Sequence, residues 1–190
     1  MHSVGVIGAG QMGRGIAQLA ASRGLDVTLV DAGRDIAERG RGVIAQQLAR
    51  LVEKQKITSA ERDATMARIR SADLYAGELE VVDFVVEAAS EKFEVKREIF
   101  SALDQACRGG VILATNTSSI SITAIGAVVK RPDRVIGMHF MNPPPLMKLV
   151  EVIRGLPTSD ATFEATLALA ERLGKQTVSS RDIPGFIVNR

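Results

Sequence analysis

A doubly wound α/β fold with a mostly parallel sheet is the architecture this sequence predicts, and three observations predict it. Short β-branched runs alternate along the chain with longer stretches of helical periodicity. Those runs are continuously apolar, as expected for parallel strands covered on both faces. The first of them leads into a glycine-rich turn that opens the first helix. Alternation of this kind builds right-handed βαβ units.

Five runs read as strands: "SVGVIG" (3–8), "DVTLV" (26–30), "VDFVVEA" (82–88), "VILAT" (111–115) and "RVIGM" (134–138). Between the first two, "GQMGRGIAQLAASRG" places Met12, Ile16, Leu19 and Ala20 at helical spacing and stops at Gly24. "SEKFEVKREIFSALDQAC" places Phe93, Ile99, Phe100 and Leu103 similarly, with Ser90 as the expected N-cap and Gly109-Gly110 as the stop. Further on, "SDATFEATLALAERLG" reads as a helix with a Ser/Asp start and a Gly stop, followed by a short strand "QTVSS". "DIPGFIVNR" then reads as the opening of another helix.

One segment interrupts the rhythm. Residues 33–70 hold no good strand but two helical stretches meeting near "KITSAERD", where Thr58 or Ser59 can cap the second. A helical hairpin inserted after the second strand is expected. It carries nine Lys/Arg against five Asp/Glu, an excess about twice the net charge of the whole chain. Such a surface is either a solvated helical face or a landing area for an anionic substrate.

Composition sets the outer bounds. A chain of 190 residues, 46% hydrophobic and 24% charged, has room for one well-buried domain, or one domain plus a fragment of the next. A net charge of +2 is too small to argue for nucleic acid. No window approaches the apolar length of a membrane span. "MHSVGVIGAG" lacks a basic n-region and a cleavage pattern, so it reads as the mature start of a cytoplasmic protein. Cys107 is alone and reads as a small residue at a helix end. With no Cys/His cluster, no metal site of the usual kind is expected.

The chemistry begins at "GAGQMG". Gly8 permits a tight turn, Gly10 lets backbone approach a pyrophosphate, and Gly13 lets helix pack on strand; the phosphates then meet the helix N-terminus. Eighteen residues after Gly13, Asp31 ends the next strand, where a carboxylate accepts from ribose hydroxyls and repels a 2′-phosphate. This Rossmann-type fingerprint predicts NAD rather than NADP. In a parallel sheet ligands bind beyond the carboxyl ends of the strands. At those ends, strand by strand, stand the Gly loop, then Asp31, then Glu87 and Glu91, then "NTSS" (Asn116 to Ser119), then His139. All fall on one edge. Asn116 joins Gly8, Gly10, Gln11, Met12, Gly13 and Asp31 in the expected cofactor-binding set.

His139 is one of only two histidines. "NPPP" soon after it forbids regular continuation, because proline fixes φ and removes a donor. The chain must turn, so "KLVEVI" is expected to return as an antiparallel neighbour and bring Glu151 beside His139. A carboxylate on one imidazole nitrogen fixes the tautomer and leaves the other for proton transfer. His139 is therefore the predicted general base and Glu151 its partner.

Together, "GAGQMGRGIA", "EAASEKFEVKREIF", "ATNTSSISI", "GMHFMNPPPLMKLVEVI" and "DIPGFIVNR" resemble the NAD-binding domain of the L-3-hydroxyacyl-CoA dehydrogenase family, which includes bacterial 3-hydroxybutyryl-CoA dehydrogenases. The resemblance runs from residue 3 to 190. It implies NAD-dependent oxidation of a short-chain (S)-3-hydroxyacyl-CoA, or the reverse, with His139 taking the 3-hydroxyl proton. Ser118 is similar to the serine that hydrogen-bonds the substrate oxygen, Asn189 to the asparagine that completes the site, and Asn142 to a position near histidine and substrate. Glu91 and Lys96 resemble residues on the nicotinamide ribose side. The inserted hairpin contributes to the acyl-CoA site in the family, and Lys54 and Lys56 are the residues chosen there.

The resemblance also implies a domain plan. Residues 1–183 would be the NAD-binding domain and 184–190 the start of a truncated C-terminal helical domain, which in the family supplies most of the homodimer interface and part of the substrate cleft. This chain alone is then expected to bind NAD but to turn over weakly. Two other readings stay open: a dehydrogenase of a non-CoA hydroxy acid such as a sugar acid, and a non-catalytic dinucleotide-binding module. Partners expected are an acyl-CoA substrate, with neither nucleic acid nor membrane.

Overall fold

Two helix layers explain why the strand runs are apolar without a break. The computed structural model describes residues 1–73 and 77–188. In chain order the elements are β1 (Ser3–Ile7), α1 (Gln11–Ser22), β2 (Asp26–Asp31), α2 (Arg34–Glu53), α3 (Ser59–Ala67), β3 (Ile69–Asp73), β4 (Phe84–Glu87), α4 (Phe93–Ala106), β5 (Ile112–Thr115), α5 (Ile122–Gly126), β6 (Val135–Phe140), β7 (Leu149–Arg154), α6 (Asp160–Arg172) and β8 (Gln176–Arg181). Val4, Val6, Val27, Leu29, Phe84, Val86, Ile136 and Met138 face one core with Ile16, Leu19, Ile44, Leu48 and Leu169. Their neighbours Ile7, Val30, Val85, Leu113 and Ile153 face the other, with Phe100, Leu103, Ile122 and Ile125. These strand residues thus find apolar partners on whichever face they point to.

The sheet runs β3-β2-β1-β4-β5-β6-β7-β8. Strands β3 through β6 in that order are parallel. β7 returns antiparallel to β6, as the proline turn predicts, and β8 lies parallel to β7. The order reverses between β1 and β4, so the crevice beyond their carboxyl ends is the topological switch point where such sheets bind ligands.

Three expectations need correction. Ile69–Asp73 is a strand, although its first residues fall in the segment read as strandless. It is an edge strand paired only with β2 and needs few apolar side chains, so "IRSAD" gave little signal. Ser90 does not cap α4: the helix starts at Phe93 after Lys92, without a side-chain cap. α5, with Ser121 accepting from the Ala124 N–H, follows β5 in a stretch for which the sequence suggested no element. Residues 182–188 run as turns rather than helix, with Gly185 at φ 83° and Phe186 at φ 48°. The inserted hairpin is α2 and α3, and Thr58 caps α3 reciprocally with Glu61.

Candidate active site

The three glycines of the first turn do different work. Gly8 sits at φ +99°, and a Cβ there would lie 2.7 Å from the Ala88 carbonyl oxygen. A Cβ on Gly13 would lie 1.7 Å from the Gly8 oxygen. Both close α1 against the β1–β4 crevice. Gly10 is the opposite case, with nothing within 4 Å of an added Cβ. α1 begins there with no side-chain cap and no acid in its first turn, so the N–H groups around Gln11 and Met12 are left for an anion arriving over Gly10. This cradle fits a pyrophosphate.

Asp31 stands at the end of β2 beside the cradle. Its Oδ2 accepts from the Ala9 N–H at 2.7 Å and Oδ1 from the Ala32 N–H at 2.7 Å. Asp31, Ala32, Ala89, Ser90, Val95 and Ile99 line a cavity of about 290 Å³ next to Gly8. Its acid-plus-apolar lining suits a nucleoside: a ribose at the carboxylate and a flat base against Val95 and Ile99. Sequence reasoning missed the apolar wall, because those residues belong to a helix two crossovers away.

At the switch point the polar residues form one network. Glu87 is fully buried; its Oε2 accepts from Lys96 Nζ and from the Thr115 hydroxyl, both at 2.7 Å, and its Oε1 from the Ala89 N–H at 2.8 Å. Lys96, expected on the ribose side, is buried beneath the rim, with its ammonium 3.8 Å from Glu91 Oε2. Glu91 Oε1 accepts from the hydroxyls of Thr117 and Ser118 and the Ser118 N–H, at 2.7, 2.9 and 2.7 Å. Burial would raise the Glu91 pKa, but these donors and the Lys96 charge together hold it below the usual value. Asn116 uses its side-chain oxygen to accept from the Phe140 N–H at 2.8 Å, which ties the end of β5 to the end of β6.

His139 and Glu151 are register partners across β6 and β7, and Nδ1 lies 2.7 Å from Glu151 Oε2. The acid is fully buried and the imidazole 8% exposed. Because the carboxylate accepts at Nδ1, Nε2 is the nitrogen left for a proton. The other carboxylate oxygen accepts from the N–H groups of Ile187 at 2.8 Å and Val188 at 3.1 Å, backbone partners that no residue type announces. Asn142, after the imidazole, accepts from Gln11 Nε2 at 3.2 Å, so the loop beyond His139 touches the glycine turn. Asn189 lies outside the described residues.

The hairpin charge resolves into pairs and a remainder. Arg34 pairs with Glu78, Arg39 with Asp35, Arg62 with Asp63 and Arg68 with Asp26. Arg41 and Arg70 donate to carbonyls. Arg50, Lys54 and Lys56 remain among the described residues without a side-chain partner. Lys54 and Lys56 line a groove of about 640 Å³ between the hairpin and Pro145-Leu146, and Arg50 lines its continuation past Pro143 and Pro144. Sequence reasoning chose the two lysines and missed Arg50. Lys175 fastens the groove's other wall, donating to the carbonyls of Pro144 and Met147 at 2.6 and 2.7 Å.

A sequence profile described as "3-hydroxyacyl-CoA dehydrogenase, NAD binding domain" matches residues 3–183. The chain belongs to that family. This NAD-binding domain is 50% identical over 190 residues to 3-hydroxybutyryl-CoA dehydrogenase of Bradyrhizobium diazoefficiens, covering 100% of the chain and 64% of that relative. It is 46% identical over 191 residues to 3-hydroxyadipyl-CoA dehydrogenase of Escherichia coli, covering 100% of the chain and 40% of that relative. It superposes on the crystal structure of (S)-3-hydroxybutyryl-CoA dehydrogenase from Ralstonia eutropha with a TM-score of 0.96 and 46% identity, covering 100% of the chain and 67% of that structure. The chain therefore spans less than two thirds of the first of these relatives. NAD is the cofactor of the domain family, and the cradle at Gly10, the acid at Asp31 and the cavity beside them fit it.

Cys107 takes no part in this chemistry. It follows α4, is buried, and its thiol is pushed up to about 11 by burial, which leaves it an unreactive packing group. Among the described residues, no helix is long and apolar enough to cross a membrane, and no three His, Cys, Asp or Glu side chains group as metal ligands.

Proposed function

We propose that the chain is the cofactor half of an NAD-dependent 3-hydroxyacyl-CoA dehydrogenase acting on a short acyl chain such as 3-hydroxybutyryl-CoA. The observation that carries this is the His139–Glu151 pair, with Nδ1 2.7 Å from the carboxylate and Nε2 left over, on the sheet edge that holds the nucleotide cradle. Nε2 takes the proton from the substrate 3-hydroxyl, and Glu151 steadies the imidazolium that results. Bound NAD⁺ supplies the two-electron acceptor for C3. Ser118, held by Glu91, and Asn142 face the substrate oxygen, and Asn189 completes that wall. Glu91 reaches the nicotinamide ribose, with Lys96 setting its charge from below.

The CoA moiety lies along the groove, where Arg50, Lys54 and Lys56 meet its phosphates. That favours CoA, which carries several phosphate charges, over a sugar acid, whose single carboxylate does not need three unpaired cations. Residues 1–183 form the NAD-binding domain and residues from 184 lead into a helical domain that supplies the homodimer contacts and the far wall of the cleft. The complete enzyme is a cytoplasmic homodimer. This chain alone binds NADH and reduces acetoacetyl-CoA only weakly. The test is His139→Gln in the complete enzyme: kcat falls by about 10²–10⁴ with NADH affinity kept. A variant with near wild-type kcat overturns the assignment.

A further inference from the structure

The Glu151 carboxylate is gripped from two sides, and the second side leads away from the site. Oε2 faces His139, while Oε1 takes the N–H groups of Ile187 and Val188. Those amides belong to residues 182–188, which leave β8 in turns and make no ladder of their own. Two contacts fix the segment instead. Phe186 is 2% exposed, packs in the same core cluster as Ile122, Ile125 and Ile153, and sets its ring 6.0 Å from the imidazole. At the other end stands Asp182. Its Oδ1 accepts from the Ile122 N–H at 2.8 Å; its Oδ2 accepts from the Thr123 N–H at 2.8 Å, the Thr123 hydroxyl at 2.6 Å and the Ser121 hydroxyl at 2.8 Å.

All four donors belong to the start of α5, which packs on β6, the strand that carries His139. Burial works against an ionised Asp182, but the donors outweigh it and hold its pKa below the ordinary 3.8. The anchor is therefore charged at neutral pH, and both of its oxygens are already engaged within the fold. No substrate group is needed to explain it.

We propose that Asp182 is a positioning residue for the His139–Glu151 pair: by pinning the segment to α5 it keeps two backbone amides on Glu151 Oε1, which presents Oε2 to the imidazole. This rests on the reading of that pair as the proton-transfer dyad. With Oε1 held, the carboxylate cannot rotate, and the ring keeps its proton on Nδ1 and its lone pair on Nε2. When the segment comes loose, water replaces the amides, the carboxylate turns, and the ring samples both tautomers. Asparagine cannot substitute. Its carboxamide has one acceptor oxygen, so whichever way it turns the –NH₂ faces a backbone N–H, that of Ile122 or that of Thr123, placing donor against donor.

Nitrogen-15 NMR of this chain reads the imidazole directly, since His2 is the only other histidine. Wild type is expected to show His139 as one tautomer, protonated at Nδ1. Asp182→Ala and Asp182→Asn should move the ring nitrogens toward a tautomer mixture and speed exchange of the Ile187 and Val188 amides about tenfold or more, with the NADH dissociation constant within about twofold of wild type. If Asp182→Ala does not fold, Asp182→Asn reads alone, since it keeps volume and one acceptor. Unchanged ring nitrogens in a folded variant overturn the proposal, whether or not the amides are released. His139→Gln in the complete enzyme separates the two ideas: retained kcat there sinks the dyad, while the ring signature still judges the anchor.

Discussion

Replacing Lys96 with methionine tests what holds the centre of the site. The Lys96 and Glu87 side chains are 2% and 0% exposed, with nitrogen and oxygen 2.7 Å apart. Methionine nearly matches the lysine stem in length, so lost charge outweighs lost packing. Glu87 keeps the Thr115 hydroxyl and the Ala89 N–H but loses its buried cation. Breaking one half of a buried pair costs about 3–5 kcal/mol. The stranded acid can instead take a proton, which for a glutamic acid of ordinary pKa 4.5 costs roughly 3.4 kcal/mol at pH 7, at 1.36 kcal/mol per unit. The smaller figure limits the damage, so the loss settles at about 3–4 kcal/mol. For a chain of this size that is a drop in Tm of roughly 6–16 °C. Because proton uptake becomes easier in acid, the loss should shrink to about 1 kcal/mol at pH 5. Adding Glu87→Gln removes the stranded charge and should restore most of the stability. Urea unfolding of the single and double variants at both pH values measures all of this. A single variant within about 1 kcal/mol of wild type at pH 7, or a double variant no better than the single, refutes the electrostatic account.

The same geometry sets three more outcomes. Gly10→Ala and Gly13→Ala should separate: the first, with open space above it, keeps its Tm and loses about tenfold or more in NADH affinity, while the second, driven 1.7 Å from the Gly8 oxygen, loses about 2 kcal/mol or more of stability. Thermal melts with NADH fluorescence titrations check both. Arg50→Ala, Lys54→Ala and Lys56→Ala should each weaken binding of CoA by about 1.5- to 5-fold and flatten its salt dependence, as calorimetry at two ionic strengths would show. Acid should unfold the chain through Asp83, Glu91 and Asp182, all held below their ordinary values. Their contribution is complete above the unfolded values of 3.8 for aspartate and 4.5 for glutamate. It is lost as pH falls through the lower folded values, so the urea midpoint should drop steeply below about pH 4.

The sheet was legible because burying both faces of a strand demands a run such as Val82–Glu87 or Val111–Thr115, and few other structures tolerate one. The glycine turn was legible because Gly8 and Gly13 stand where a Cβ would strike backbone, while Gly10 leaves open space at the start of α1. His139 and Glu151 could be paired from spacing, since three prolines leave an antiparallel return as the short way back. Edge strand β3 was not legible. It pairs on one side only, so its hydrogen bonds ask nothing of its side chains.

What the sequence by itself determined is therefore the set of chemical groups and the rim on which they stand, because periodicity and turn residues act locally. Tertiary structure alone decided how those groups are held. Lys96 went beneath the rim because Glu87 needs a cation where no water reaches it. Arg50, Lys54 and Lys56 were singled out because other cations of the hairpin found partners distant in sequence, such as Glu78 and Asp26. Glu151 is steadied by amides of Ile187 and Val188, and an amide looks the same in every residue. Only the path of the folded chain brings it to a carboxylate.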